Sequence, residues 1–254
     1  MAGFKTHITT STCLGVAYGA TAFTCYDVPL PACVLAAGLG GVSGMLPDLD
    51  SASGVPKRES IAFAAAVVPL LLAERFKRMG MEPEYIVLAG GAVYLFIRFV
   101  LAKILTHFSV HRGMFHSFPA CLIAGEIAFL LCGHENLWEH YFNAAAVMMG
   151  FMSHLVLDEI WALDFSGGRL RFKSSWGTAM KFWGESLGSN LLTYALLAVT
   201  TLASLGDPAM MHKNPAADTA APHQVATQPD GTEQSALPQD AEQVATQPDN
   251  RDVR

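Results

Sequence analysis

Seven apolar segments, at 8–26, 30–47, 60–74, 85–106, 117–133, 142–162 and 189–205, dominate the chain, each bounded by charge, proline or glycine. A helix needs about 20 apolar residues to cross a bilayer, and several segments approach that length. In lipid a helix satisfies its own backbone N–H and C=O groups. The pattern therefore predicts an all-α, polytopic helical membrane protein with about seven transmembrane or membrane-embedded helices. The third segment is short and must tilt or borrow flanking residues. The first, with Lys5 before it and Ala20-Thr21-Ala22 as a cleavage-like site, could pass for a signal peptide. We read it as retained, because cleavage would discard His7, which the site below uses.

Composition agrees. Charged residues make up 15% of the chain, against roughly a quarter in a soluble domain. The net charge of −6 is concentrated at one end: from Gly206 onward there are eight acidic and three basic residues, and the rest is nearly neutral. That stretch is rich in Pro, Gln, Ala, Thr and Asp, and the heptapeptide QVATQPD occurs identically at 224–230 and 243–249. It lacks the apolar surface to offset its ordering entropy. The division is thus a membrane-embedded domain over 1–205 and a disordered acidic tail over 206–254. Without a basic body, nucleic acid is not an expected partner. Cys13, Cys25, Cys33, Cys121 and Cys132 form no CxxC pair and read as small buried hydrophobes.

Threading the segments back and forth brings the chemically capable side chains to one face. His7 begins there, and segment two returns there at Leu46-Pro47-Asp48-Leu49-Asp50. Segment four ends near His107, His111 and His116, and segment six ends at His154 and Asp158. His134 and His140 fall on the opposite face, His212 and His223 in the tail. The same near face holds Lys5, Lys57, Arg58, Lys103, Arg112, Arg169, Arg171, Lys173 and Lys181, against Arg75, Lys77 and Arg78 on the far loops. The positive-inside rule then makes the near face cytoplasmic and the tail external, in the inner membrane.

His154 and Asp158, four apart in a helix, project from one side about one turn apart. An imidazole and a carboxylate so placed suit zinc or manganese, although such a pair alone is more often a helix-surface hydrogen bond. Asp48 and Asp50 flank one residue at a helix end, which alone is more often a solvated turn. His111 and His116 lie around Gly113, which permits a tight turn. Recurring at four segment ends on one face, these groups favour a metal site.

A histidine before the first helix, LPDLD at 46–50, HRGMFHS at 111–117 and GFMSHLVLD at 150–158 resemble the membrane-bound metal-dependent hydrolase family, the YdjM-like group regulated by LexA in some bacteria. The resemblance runs in order over residues 4–185. It implies His7, Asp48, Asp50, His111, His116, His154 and Asp158 as the site. Many relatives carry a histidine after the Asp-x-Asp, where this chain has Ser51. The helical HxxxD is more faintly similar to zinc phospholipase C and P1-type nucleases.

The chemistry implied is hydrolysis of an ester or phosphoester by metal-activated water, with zinc the first choice and manganese the second. No Gly-x-Ser-x-Gly elbow or Cys–His pair offers a covalent nucleophile. Asp50 is either a bridging ligand or the catalytic general base. Arg112, Arg169 and Arg171 are candidates to hold a phosphate, and equally serve as topology determinants. Across 165–183 basic residues alternate with Phe172, Trp176, Phe182 and Trp183, as in a headgroup layer, so membrane lipids are the expected partners and a lipid-like or lipid-linked phosphoester the expected substrate. The rivals are a metal-ion transporter or sensor, whose ligands belong near the bilayer midplane, and an inactive scaffold with a structural metal. Finally, Arg98 and Glu126 each lie eight residues from the near face, predicting a buried ion pair below the site.

Overall fold

The computed structural model describes residues 3–50, 54–104, 114–133, 136–166, 169–172, 177 and 180–211; for Asp50, 164–166 and 169–172 it describes the backbone alone. Glycines decide how its first helices meet. Helix α1 (Phe4–Tyr26) folds back onto α2 (Leu30–Ser43). A Cβ on Gly15 would lie 2.5 Å from the Ala37 carbonyl oxygen, and one on Gly19 2.6 Å from that of Cys33. Only hydrogen at these positions lets the two backbones touch. In lipid, where apolar side chains gain little by leaving solvent, such close contact is what holds helices together. Helix α6 (Leu137–Ala162) docks on α2 in the same way, with Gly150 pressed against Gly40 and Ser43. Ala22, Val28, Cys33, Ala36, Phe142 and Ala146 fill the core between the three helices.

After α2 a tight 3₁₀ turn over Leu46–Asp50 carries the Asp-x-Asp pair. Helices α3 (Val55–Arg78) and α4 (Pro83–Ile104) pair around Ile61, Ala65 and Ile97. Helix α5 (Phe118–Leu131) packs on α6 through Cys121, Phe151 and Leu155. Helix α7 (Leu187–Leu205) lies against α5 and is followed by the short α8 (Pro208–Met211).

The seven long helices among the described residues coincide with the seven apolar segments. Three of them, α4, α6 and α7, are long and apolar enough to cross a membrane. Helices α2 and α5, at 14 residues each, reach about 21 Å, short of a hydrocarbon core of about 30 Å.

The alternation of helix ends holds. Arg75 near the end of α3, Cys132 after α5 and Asp207 after α7 meet at the end remote from His7. Arg75 donates to the Cys132 carbonyl at 3.1 Å and to Asp207 Oδ2 at 2.6 Å. Burial pushes the Asp207 carboxyl up, but the Arg75 guanidinium, the Ala209 N–H and the nearby His140 outweigh it, so the group titrates below the usual carboxylate range. The chain is therefore folded through Met211, five residues past Gly206. Residues from His212 onward, including the tail repeat, lie outside the described residues.

Three expectations need correction. Arg98 is exposed on a widened turn of α4 (Phe96–Leu101), and α4 packs on α3. Glu126 instead accepts hydrogen bonds from Thr200 and, at 2.6 Å, Thr201 on α7. Equal depth in the bilayer does not make two helices neighbours. Secondly, the helical architecture includes one two-stranded antiparallel hairpin, β1 (Leu163–Ser166) and β2 (Arg169–Phe172), with Asp164 in register opposite Arg171. Its sequence signal is the two-residue alternation of Leu163, Phe165, Leu170 and Phe172 around Gly167-Gly168. Thirdly, Cys13 and Cys25 are exposed on the side of α1 turned away from the core; Cys33, Cys121 and Cys132 are buried.

Candidate metal centre

The site forms where four segment ends converge: the start of α1, the turn after α2, the start of α5 and the last turns of α6. His7 occupies the first turn of α1, and Ser11 one turn on donates to the Gly41 carbonyl at 2.6 Å, locking α1 to the end of α2. His154 and Asp158 project from α6 one turn apart, as their spacing requires. His116 stands just ahead of α5. Its neighbour Ser117 caps that helix, accepting from the Ala120 N–H at 3.2 Å while its hydroxyl donates to the Met114 carbonyl at 2.6 Å. The cap fixes the backbone that carries His116.

Within this cluster His7 Nε2 lies 3.3 Å from Asp158 Oδ1. Asp158 Oδ2 lies 3.6 Å from His154 Nε2 and 3.7 Å from His116 Nε2. Asp48 Oδ1 lies 3.5 Å from His116 Nε2 and 3.7 Å from His154 Nε2. The His7 and His154 rings stack with centroids 3.6 Å apart, and His116 meets His154 edge-on. His7, His154 and Asp158 are buried; His116 at 14% and Asp48 at 25% side-chain exposure are the open edge.

These separations are too long for good direct hydrogen bonds. They lie within about 0.1 Å of another geometry: around an ion bound at about 2.0–2.2 Å in a tetrahedron, ligand atoms sit about 3.3–3.6 Å apart. The polar bookkeeping agrees. His7 Nδ1, His116 Nε2 and His154 Nε2 are buried without a hydrogen-bond partner, which normally costs stability. The orientation of the His154 ring is fixed by a backbone contact. Its Nδ1 lies 2.7 Å from the Gly44 carbonyl, which can only accept, so Nδ1 is the donor there and Nε2 is the nitrogen turned toward the carboxylates. Two triads result, His7–His154–Asp158 and Asp48–His116–His154, each with ligand atoms within 4.8 Å of one another. Burial pushes the Asp48 carboxyl up, but the His116, His154 and His7 imidazoles outweigh it and draw the group below the usual carboxylate range. Asp48 is thus the anion that a metal needs at neutral pH. The nitrogen-and-oxygen donor set is one that could hold a divalent metal ion.

Five of the seven expected ligands, His7, Asp48, His116, His154 and Asp158, are therefore brought together. His111 and Arg112 lie outside the described residues, as do the side chains of Asp50, Arg169 and Arg171. His107 and His134 lie outside them as well. His140 is at the far end, its Nδ1 2.9 Å from the Phe129 carbonyl. The Gly44 carbonyl is the participant that sequence reasoning missed; a backbone acceptor leaves no residue-type signal.

No curated protein and no solved structure matches the chain. The family described as YdjM inner membrane protein matches it over residues 1–202, which covers every helix from α1 to most of α7. That match, with the apolar spans, makes this a membrane protein, and the chain belongs to the YdjM inner membrane protein family.

Proposed function

We propose that the chain is a membrane-bound, metal-dependent hydrolase that cleaves an ester or phosphoester. The observation that carries this reading is the pair of buried imidazole nitrogens without hydrogen-bond partners, His116 Nε2 and His154 Nε2, facing two carboxylates at 3.5–3.7 Å, with His7 Nε2 3.3 Å from Asp158 on the same cluster. His7, Asp48, His116, His154 and Asp158 would hold a divalent metal, which would supply an activated water near neutral pH and polarisation of the scissile oxygen. The residues divide the remaining work. His154, fixed by Gly44, and Asp158, with one oxygen toward His7 and the other toward His116 and His154, form the rigid inner wall. Asp48 and His116 form the outer wall, where substrate enters. Asp50, on the same turn as Asp48, serves as general base in this reading, or as a further ligand. Arg112, Arg169 and Arg171 would neutralise a phosphate.

Placement at helix ends argues against a transporter, whose ligands belong at mid-depth. The excess of basic residues in the near-face loops supports a cytoplasmic site in the inner membrane with the tail outside. Reporters fused in 51–60 and after Gly206 should score on opposite sides, and scoring on one side would overturn that orientation. For the activity, detergent-purified protein is stripped with chelator, reloaded with zinc or manganese, and given carboxylester and phosphodiester substrates. Metal-dependent hydrolysis that falls about a hundredfold or more in Asp158→Ala is expected. A metal-loaded protein inert toward both ester classes would overturn the reading.

A further inference from the structure

Beside the open edge of the site lies an exposed aromatic segment that the proposed chemistry does not use. The Phe118 N–H donates to the Lys181 carbonyl at 3.1 Å, and Ser117 pairs alongside Lys181 in a parallel bridge. The residues directly after His116 are thus tied to 181–183. The Phe118 and Phe182 rings lie 5.3 Å apart. Phe182 and Trp183 are nonetheless 60% and 61% exposed. They are also held firmly. The Tyr194 hydroxyl donates to the Phe182 carbonyl at 2.7 Å, the Trp183 and Tyr194 rings lie 5.6 Å apart, and Asn190 bonds Gly184 through both its carbonyl and its amide. This apolar surface continues along α7 through the exposed Leu187, Leu191 and Leu192, and α7 is one of the helices able to cross the membrane.

A rigid Phe–Trp pair at the start of a spanning helix marks the level of the lipid headgroups. Lys181 beside it adds a positive charge, which favours an anionic head. A lipid whose chains lie along α7 would hold its phosphate at that same level, next to the partly exposed members of the described site, His116 and Asp48. Resting on the hydrolase reading, we propose that the substrate is a glycerophospholipid that enters sideways from the bilayer, its chains on Phe182 and Trp183 and its headgroup between Lys181 and His116. Phe182 and Trp183 are specificity residues in this scheme: they select substrates that carry chains, and a water-soluble phosphoester lacks the part they bind.

The test uses the full chain in phosphatidylcholine nanodiscs containing a phosphatidylglycerol with a photoactivatable diazirine in its headgroup. Adducts are mapped by mass spectrometry, with label on α4 as the bulk-lipid reference. Label is expected within 114–118, to fall about tenfold relative to α4 in Phe182→Ala/Trp183→Ala, and to resist excess soluble glycerol phosphate. Lys181→Glu, which leaves the apolar face intact, should lower it too. Equal labelling in wild type and all variants, or displacement by glycerol phosphate alone, would overturn lipid entry. Metal content is measured on the same samples. Zinc-loaded protein without label at 114–118 overturns lipid entry and leaves the hydrolase reading standing; label there in a protein that takes up no metal does the reverse.

Discussion

The Nδ1–H of His154 donates to the Gly44 carbonyl at 2.7 Å across 110 residues of sequence. This bond fixes the ring of a helix-borne histidine, because it settles which nitrogen faces Asp48 and Asp158 and where it points. Gly44 must be glycine for the bond to hold, since a Cβ there would strike Ser11. Gly44→Ala should therefore displace the carbonyl and weaken zinc affinity about 10–100-fold, as read by competition with a chromophoric chelator. Unchanged affinity in Gly44→Ala would remove the carbonyl from the account.

Gly150 governs the contact between α2 and α6, because any side chain there meets Gly40 and Ser43. Gly150→Ala should lower stability by about 1–3 kcal/mol and also loosen metal binding, since that contact sets His154 against the turn bearing Asp48. Thermal unfolding with and without zinc reads both effects. A lower midpoint with unchanged zinc affinity would uncouple packing from site geometry.

At the opposite end, the Arg75–Asp207 pair closes α3, α5 and α7 together. Asp207 titrates below the usual carboxylate range in the folded protein. Its contribution is thus fully present above the unfolded value of about 3.9 and is lost as pH falls through the lower folded value. Asp207→Asn should cost about 2 kcal/mol at neutral pH and flatten that acid-side loss. An unfolding profile that keeps the wild-type acid slope would assign the slope to other carboxylates.

Glu126 and Arg98 should now behave independently. Glu126→Ala removes the acceptor of two threonine hydroxyls and should lower stability by about 1–2 kcal/mol. Arg98→Ala, at an exposed position, should stay within about 0.5 kcal/mol. Neither should change metal content. Equal losses in both variants, with recovery in the charge-swapped double variant, would restore the ion pair that the geometry denies.

Local spacing and helix alternation made the site legible. His154 and Asp158 share a helix side because they are four apart, and His7, Asp48 and His116 join them because apolar segments reverse direction. What stayed hidden was lateral arrangement. Depth along a helix is countable from sequence, but which helix stands beside which is decided by contacts such as Gly15 on Ala37 and Gly150 on Gly40. Hence Glu126 found Thr200 and Thr201 and not Arg98. The hairpin at 163–172 was readable, and the helical bias of the surrounding segments concealed it.

The central claim is that residues from four separate segments hold one metal site. Elemental analysis of the purified full chain after desalting tests it most directly, comparing wild type with His154→Ala and Asp158→Ala. About one zinc or manganese per chain in wild type, falling to about a tenth or less in both variants while their helical circular dichroism persists, is the predicted result. A wild type that holds no metal, or variants that keep the full complement, would contradict it.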